Sequence, residues 1–459
     1  MSIKFDAIVI GTGQSGPSLA QRFSKEGLRT AIIERKDFGG TCVNTGCIPT
    51  KTLVASAYVA HMARRAREYG VDIGGPVNVD MKAVKSRKDE IVAASRNGVT
   101  HWMEGLAHAT VYRGHARFTG PRRVTVNGEE LEADKVIINT GGRAFIPGMP
   151  GLDRVPYWTN STMMEVDFLP EHLLIVGGSY VGLEFAQIYR RFGARVTVVE
   201  MASRLIARED PDVSEAIREI LEVEGIDVRM NAKCLSVDRS GERIVMQLDC
   251  YDGAPRIEGS HLLLAVGRRP NTDDLGLDQA GVKTDAKGFI IVDDQCRTNV
   301  AGVWAIGDVN GRGAFTHTSY NDFEIVAANI FDNDPRRISD RIPCYALFTD
   351  PPLGRAGMTE QDVRAKGIKA LAAKRMMTSV GRARERGETQ GFMKIVVDAA
   401  TKRVLGAAIL GVGGDEVVHA CLDVMAAGAP YTAISRSVHI HPTVAEYLPT
   451  LLGDLKPLA

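Results

Sequence analysis

The chain has 459 residues, more than one hydrophobic core usually supports, so about three domains are expected. Its 44% hydrophobic and 24% charged residues are those of a folded globular protein rather than a disordered or fibrous one. The 56 Lys plus Arg balance 56 Asp plus Glu, which leaves no global field to hold nucleic acid or an anionic membrane surface. Every apolar run stops short of the ~18 residues of a membrane span, and the opening MSIKFDAIVIGTG carries no cleavable signal pattern. The 7 cysteines are too few and too scattered for a secreted disulfide framework. The expected setting is the cytosol, without nucleic-acid or membrane partners, where a close cysteine pair is catalytic rather than structural.

In chain order, residues 5–34 read as strand FDAIVI, glycine turn GTGQSG, helix PSLAQRFSKEG and strand LRTAIIE, a βαβ unit. Gly11 allows a tight turn, Gly13 lets backbone approach a pyrophosphate, and Gly16 lets helix and strand pack closely. The helix N-terminus adds amide donors for phosphate. Glu34 ends the second strand, where a carboxylate accepts from both hydroxyls of an adenosine ribose.

Immediately after this unit come Cys42 and Cys47, in GGTCVNTGCIPTK. On an ideal helix five residues rise ~7.5 Å, beyond the ~4.4 to 6.8 Å reach of bridged Cα atoms. A bridged pair therefore requires an irregular start to the helix, which Asn44 and Gly46 allow. No second Cys or His pair stands at ligand spacing, so no metal site is expected. The following helix begins near Cys47, and its dipole favours a thiolate there.

A glycine-bearing block, VIINTGGRAFIPGMPG, closes the first region near Pro150. Residues 172–200 repeat the βαβ plan with HLLIV, GGSYVG, LEFAQIYRRFG and ARVTVVE, which implies a second dinucleotide site. Here Gly177 and Gly182 keep the outer glycine positions while Ser179 replaces the middle one, adding a small side chain beside the pyrophosphate. Glu200 ends the second strand; its carboxylate pairs with a free 2′-hydroxyl and repels a 2′-phosphate, favouring NADH over NADPH. Arg204 and Arg208 follow, either as phosphate clamps or as solvated loop residues.

A second boundary falls near Pro270, and a further glycine block, AGVWAIGDVNG, carries Asp308. Beyond Pro343 the pattern turns β-rich, with FMKIVVD and VLGAAIL flanking AATKR and a helix around Asp415 to Ala427. The charged run from Arg382 to Arg386 reads as a solvated loop. Near the end, His441 lies five residues before Glu446, so a base could be oriented by an acid, as thiol–disulfide exchange requires. Alone, His441 reads equally as a loop histidine before Pro442.

Taken together, GTGQSG with Glu34, GGTCVNTGCIPTK, the NTGG block, GGSYVGLE, AVGRRPN, AIGD and HPTVAE resemble the flavin- and pyridine-nucleotide-dependent disulfide oxidoreductases over essentially the whole chain. That class includes lipoamide dehydrogenase, glutathione reductase and mercuric reductase. The resemblance implies an α/β architecture: two Rossmann-like dinucleotide-binding domains plus a C-terminal α+β dimerisation domain. The boundaries that follow are 1–149 for FAD, 150–269 for NAD(P), 270–342 completing the FAD domain, and 343–459 for dimerisation. It implies FAD in the first site, a nicotinamide dinucleotide in the second, and a homodimer acting on a small disulfide or related acceptor.

By motif, the resemblance makes Cys47 the flavin-proximal thiol and Cys42 the interchange thiol. Lys51 and Glu184 correspond to the ion pair beside the flavin, Tyr180 to the aromatic over the nicotinamide pocket, and Asp308 to the carboxylate on the ribityl chain. Thr41, Thr140, Gly141 and Gly267 fall in the cofactor-binding motifs. His441 with Glu446 corresponds to the dyad that reaches the partner subunit's cysteines. Read without the resemblance, Lys51 and Glu184 are equally an ordinary surface pair.

Within the family the motif and the FTHTSYND run look most like the mercuric-reductase-like branch, although no cysteine follows Cys421 to deliver metal. Lipoamide dehydrogenase is the alternative, and a flavin- and NADH-binding redox sensor is the alternative of another class. Cys234, Cys250, Cys296, Cys344 and Cys421 lack partner spacing and read as buried structural thiols.

Overall fold

A computed structural model of the chain describes residues 2–249 and 255–458. Strand β1 (Ile3–Ile10), helix α1 (Gly16–Lys25) and strand β2 (Thr30–Glu34) form the first βαβ unit, followed by helices α2 (Gly40–Asn44), α3 (Cys47–Arg65) and α4 (Met81–Glu104). Strands β3 (Ala109–Arg113), β4 (Arg117–Gly120), β5 (Arg123–Val126) and β6 (Glu129–Ile138) complete most of a sheet ordered β3-β2-β1-β6-β5-β4. The β1, β2, β3 and β6 pairings are parallel. The end of β1, all of β2 and the end of β6 are buried on both faces because helices and the neighbouring layer cover both; Ala7, Ile8, Val9, Ile32 and Ile137 are fully buried.

A short strand β7 (Gly142–Ala144) precedes the second unit, β8 (His172–Val176), α5 (Tyr180–Phe192) and β9 (Arg195–Val199), then α6 (Pro211–Val223) and β10 (Asp227–Arg229). An antiparallel layer of β11 (Lys233–Ser240), β12 (Arg243–Asp249) and β13 (Arg256–Gly259) leads to β14 (His261–Leu264), which pairs parallel with β8 in the order β10-β9-β8-β14. Strand β15 (Arg268–Pro270) returns to pair with β7. After α7 (Leu277–Ala280), strand β16 (Val303–Ala305) adds in parallel to β6, so the chain re-enters its first sheet after the second unit is finished.

Helix α8 (Thr316–Ala327) then leads into a six-stranded antiparallel sheet, β17-β18-β21-β20-β19-β22. Its strands are β17 (Cys344–Leu347), β18 (Leu353–Gly357), β19 (Ala370–Met376), β20 (Phe392–Asp398), β21 (Val404–Leu410) and β22 (Lys456–Pro457). Helices α9 (Glu360–Ala365), α10 (Gly381–Glu385), α11 (Gly414–Ala426), α12 (Thr432–Ser435) and α13 (Tyr447–Gly453) lie among them. One face of the sheet buries Met393, Ile395, Val397, Ala407 and Ile409 with Val418 and Cys421 of α11 and Leu451 of α13.

Three local readings change. The Arg382 to Arg386 run is not a solvated loop: Gly381–Glu385 is helix α10, Arg382 Nη2 donates to the Pro442 carbonyl (2.8 Å), and Arg386 Nη2 to the Tyr58 hydroxyl (3.0 Å). Arg382 also pairs with Glu385 (3.2 Å) and Arg386 with Glu388 (3.2 Å), while the contacts to Pro442 and Tyr58 are remote in sequence and have no local signal. Cys296 and Cys421 are buried, but Cys344 is only half-buried, near the edge of its sheet. Cys250 and the side chain of Cys234 lie outside the described residues. Glu184 is no surface residue: its side chain is 6% exposed.

Candidate functional site

The two glycine turns solve one steric problem in the same way. Gly11 and Gly177 hold φ of +102° and +115°, conformations an L side chain rarely adopts. A Cβ at Gly11 would sit 2.3 Å from the Asn139 carbonyl oxygen, and one at Gly177 would sit 2.4 Å from that of Ala265. The third glycine of each turn packs under the first: a Cβ at Gly16 would be 2.2 Å from the Gly11 carbonyl, and one at Gly182 2.0 Å from that of Gly177. Gly13 lies against the Asn139 amide. In each unit the strand therefore runs straight into a helix N-terminus whose free amides suit a pyrophosphate.

Each turn is also tied to its acid. Glu34 accepts from the Thr12 amide (2.9 Å), the Thr12 hydroxyl (2.7 Å) and the Lys36 amide (2.9 Å). Glu200 accepts from the amides of Gly178 (2.6 Å) and Ala202 (2.8 Å). Each carboxylate keeps unused lone-pair directions for a ribose hydroxyl. Ser179 is the exposed residue before α5 and spends no side-chain bond on capping it, so its hydroxyl is available beside the turn. Arg204, in contrast, is engaged by the Ala207 carbonyl (3.2 Å) and Gln361 (3.3 Å), while Arg208 is exposed.

Asn139 organises the first cradle and was not singled out by sequence reasoning. Its Oδ1 accepts from the Gly16 amide (3.0 Å), and its Nδ2 donates to Ser15 Oγ (2.8 Å) and the Ile306 carbonyl (3.0 Å). It thus joins α1, β6 and the segment before Asp308. Next to it the Thr140 hydroxyl donates to the Asn271 carbonyl (2.9 Å), the Gly141 carbonyl accepts from the Asn271 amide (2.9 Å), and the Gly267 carbonyl accepts from the Phe145 amide (2.9 Å). Asp308 faces Arg268 Nε at 3.6 Å, and Arg268 reaches the Thr41 hydroxyl (3.4 Å) and the Gly142 carbonyl. Burial raises the Asp308 pKa above the usual carboxylate range despite Arg268.

Between the cradles lie the cysteines. Helix α2 ends at Asn44, whose Nδ2 donates to the Phe38 and Gly40 carbonyls (2.9 Å each). Gly46, at φ −131° and ψ −115°, breaks the helical path before α3 starts at Cys47. A Cβ at Gly46 would lie 2.8 Å from the Thr41 carbonyl, so the break also permits close backbone approach. Both cysteines are thiols in mutual contact. The Cys42 thiol donates toward Cys47, which lowers the Cys47 pKa to about 6, helped by the Thr316 hydroxyl and the Lys51 charge against the opposing effect of burial. The same bond and burial raise that of Cys42.

Thr316 is the second residue sequence reasoning missed. Its Oγ1 lies 3.0 Å from Cys47 Sγ, at the first residue of α8, so a hydroxyl from the start of that helix reaches the thiol. Lys51, one turn beyond Cys47 on α3, holds Glu184 of α5 through two bonds (3.0 and 2.8 Å). Glu184 also accepts from the Phe348 amide (3.1 Å), and Lys51 Nζ sits 4.4 Å from the centre of the Phe348 ring. Tyr180, at the start of α5, packs edge-on against Phe315 (5.7 Å) and Tyr345 (5.4 Å).

His441 is elsewhere, in the C-terminal region. Its Nδ1 faces both oxygens of Glu446 (3.1 and 2.9 Å), and 81% of the side chain is exposed. Val438 and Ile440 beside it are 100% and 80% exposed. Among the described residues, no group of three or more His, Cys, Asp and Glu could hold a metal ion. Among the described residues, no helix is long and apolar enough to cross a membrane.

Two nucleotide cradles flanking a cysteine pair match, over residues 5–322, the family described as pyridine nucleotide-disulphide oxidoreductase, and residues 344–452 match its dimerisation domain. The chain belongs to this family of flavoprotein disulfide reductases. The family uses FAD and NAD(P)H. The probable pyridine nucleotide-disulfide oxidoreductase RclA of Escherichia coli is 34% identical, across 99% of this chain and 100% of RclA. Mercuric reductase of Streptomyces lividans is 35% identical, covering 97% of this chain and 94% of that one. A dihydrolipoyl dehydrogenase of Thermus scotoductus is 33% identical, covering 97% and 96%. Among solved structures, the HOCl-induced flavoprotein disulfide reductase RclA from Escherichia coli superposes with a TM-score of 0.89 at 33% identity, over 98% of this chain and 99% of that one. A Cu(II) complex of RclA aligns equally well.

Proposed function

We propose that this disulfide reductase uses NADH, works through Cys42 and Cys47, and acts as a homodimer in the cytosol. FAD would be held by the Gly11 turn, Glu34, the Thr140–Gly141 segment and Asp308, and NADH by the Gly177 turn, Ser179 and Glu200. When bound, FAD supplies the two-electron relay between nicotinamide and the cysteine pair. The observation that carries the reading is Cys47, bonded by Cys42 and Thr316, near Lys51, with its pKa near 6.

The residues then have distinct tasks. In the reduced pair Cys47 holds the negative charge and Cys42 the proton. Deprotonated by a base, Cys42 attacks one sulfur of a disulfide substrate, forming a mixed disulfide and breaking the substrate S–S bond. The departing thiolate takes the proton. Cys47 thiolate then attacks Cys42, restoring the intramolecular bond and releasing the second product thiolate. Glu446 orients His441 so that its other ring nitrogen is free to accept and return the proton. Its 81% exposure supports a target on the partner subunit, and a two-fold dimer would pair each His441 with the other chain's cysteines. The regions 1–149, 150–269, 270–342 and 343–459 serve as FAD, NAD, FAD-completing and dimerisation units.

A reduced dithiol also suits a thiophilic metal ion as substrate. The test is a steady-state panel of NADH and NADPH against lipoamide, glutathione disulfide, mercuric ion, cupric ion and quinones. The reading expects NADH oxidation with at least one thiol-reactive acceptor, lost in Cys42→Ser. Activity only with quinones, unchanged in that variant, would overturn it. A holoprotein inert to both dinucleotides would favour the redox sensor.

A further inference from the structure

The buried polar cluster between α6 and the C-terminal sheet bears on Tyr180, a residue that no part of that cluster adjoins in sequence. Glu209 and Arg355 are essentially inaccessible and form an ion pair, with Arg355 Nε donating at 3.2 Å. Asp210 and Lys394, equally buried, pair at 2.9 Å, and Lys394 also holds Asp212 at 2.7 Å. Glu209 has one further partner, the hydroxyl of Tyr345 on β17, which donates to it. With its proton committed, that hydroxyl can only accept elsewhere.

The Tyr345 ring is fixed at its other end as well. It stacks on Phe315 at 5.6 Å and 15°, and offers Tyr180 an edge-to-face contact at 5.4 Å and 82°. Phe315 directly precedes Thr316, which touches Cys47, and Tyr180 directly follows Ser179 of the second cradle. The Tyr180 hydroxyl is buried and interacts with the Tyr345 hydroxyl, but without reaching full hydrogen-bond geometry among the described residues. That is an unfavourable place for a hydroxyl, and rotation of the ring toward water would relieve it.

We propose that Tyr345 is a positioning residue for Tyr180: clamped by Glu209 and Arg355, it holds the Tyr180 ring closed between the second nucleotide cradle and Cys47, and so sets how readily a nicotinamide enters. This rests on reading Tyr180 as the aromatic over the nicotinamide pocket. The closed ring is retained by two aromatic contacts and opposed by its poorly satisfied hydroxyl, with the closed arrangement dominant in the free enzyme, so the apparent Kd follows the open fraction. Loss of the Tyr345 edge contact shifts the balance by roughly 2- to 12-fold toward open. The control is exerted from the C-terminal sheet, since β17 also supplies, just past its end, the Phe348 amide that holds Glu184.

The test uses FAD-loaded enzyme mixed rapidly and anaerobically with NADH, reading flavin absorbance to separate the apparent Kd for NADH from the limiting reduction rate. Tyr345→Leu, and Tyr345→Val as a second variant suited to a strand, should lower the apparent Kd by roughly 2- to 12-fold, with a smaller change in limiting rate. Tyr345→Phe, which keeps the ring and loses only the bond to Glu209, should lower the apparent Kd by less than the ring-removing variants. In a Tyr180→Ala background the same substitutions should have no further effect on Kd. An unchanged Kd in both ring-removing variants, or an equal change with and without Tyr180, overturns the proposal. If Tyr180→Ala alone leaves the NADH Kd unaltered, the reading of Tyr180 fails and takes the proposal with it.

Discussion

Replacing Thr316 by valine keeps the shape of the side chain and removes one oxygen, 3.0 Å from Cys47 Sγ. The Cys47 thiolate then loses a charge-assisted hydrogen bond, worth about 1.5–3 kcal/mol between a neutral donor and a charged acceptor. Because the bond favours only the ionised form, the loss appears as a pKa rise of about one to two units. The Cys42 thiol and the Lys51 charge remain, so Cys47 should move from about 6 toward its ordinary value without reaching it. The assay is the pH dependence of iodoacetamide alkylation of the reduced protein, read at the Cys47 peptide by mass spectrometry. In the parent, thiolate reactivity should be retained above about pH 6 and lost as pH falls through it, the direction required of a depressed acid. In Thr316→Val the loss should begin at higher pH. An unshifted alkylation profile would refute the assignment of Thr316 as a thiolate donor.

Glu200→Arg should lower kcat/KM for NADH and raise it for NADPH, since a guanidinium pairs with a 2′-phosphate where the carboxylate repels one; a parent enzyme that already prefers NADPH would show that Glu200 does not set the choice. Arg355→Met leaves Glu209 charged and buried, with the Tyr345 hydroxyl as its remaining close partner. It should cost about 3–5 kcal/mol of stability, seen as a clear fall in Tm. Gly11→Ala forces a Cβ against the Asn139 carbonyl, 2.3 Å away, and should yield protein that does not retain FAD, measured by the flavin-to-protein absorbance ratio. Refolding inactive Cys42→Ser/Cys47→Ser chains together with inactive His441→Ala chains should restore disulfide reduction, because one of the two sites in each heterodimer would be complete; no recovery in verified heterodimers would place the base within its own chain.

What the sequence made legible was local. Both βαβ units follow from glycines, apolar strands and terminal acids lying within about 30 residues of each other, as such units do. The break between Cys42 and Cys47 follows from the mismatch between helical rise and bridge length, and the structure has it at Gly46. Return of the chain to its first sheet through β16 has no local signal, since three strand residues do not identify their partner. Thr316 and Asn139 lie in the FTHTSYND and NTGG blocks, but the partners of Thr316, Asn139 and Tyr345 are 269, 123 and 136 residues away, so no local pattern revealed what these side chains bond. The same is true of Glu184, whose burial depends on how α3, α5 and the Phe348 amide converge.

The central claim is that electrons from NADH reach the Cys42–Cys47 pair. Anaerobic titration of the oxidised holoenzyme with NADH, followed by alkylation and peptide mass spectrometry, tests it directly. The account predicts that alkylation of both Cys42 and Cys47 rises with the first electron pair and flavin bleaching completes only with the second, so that the parent consumes two electron pairs per subunit and Cys42→Ser/Cys47→Ser one. Flavin bleaching that consumes a single pair in both proteins, with Cys42 and Cys47 protected from alkylation throughout, would contradict it.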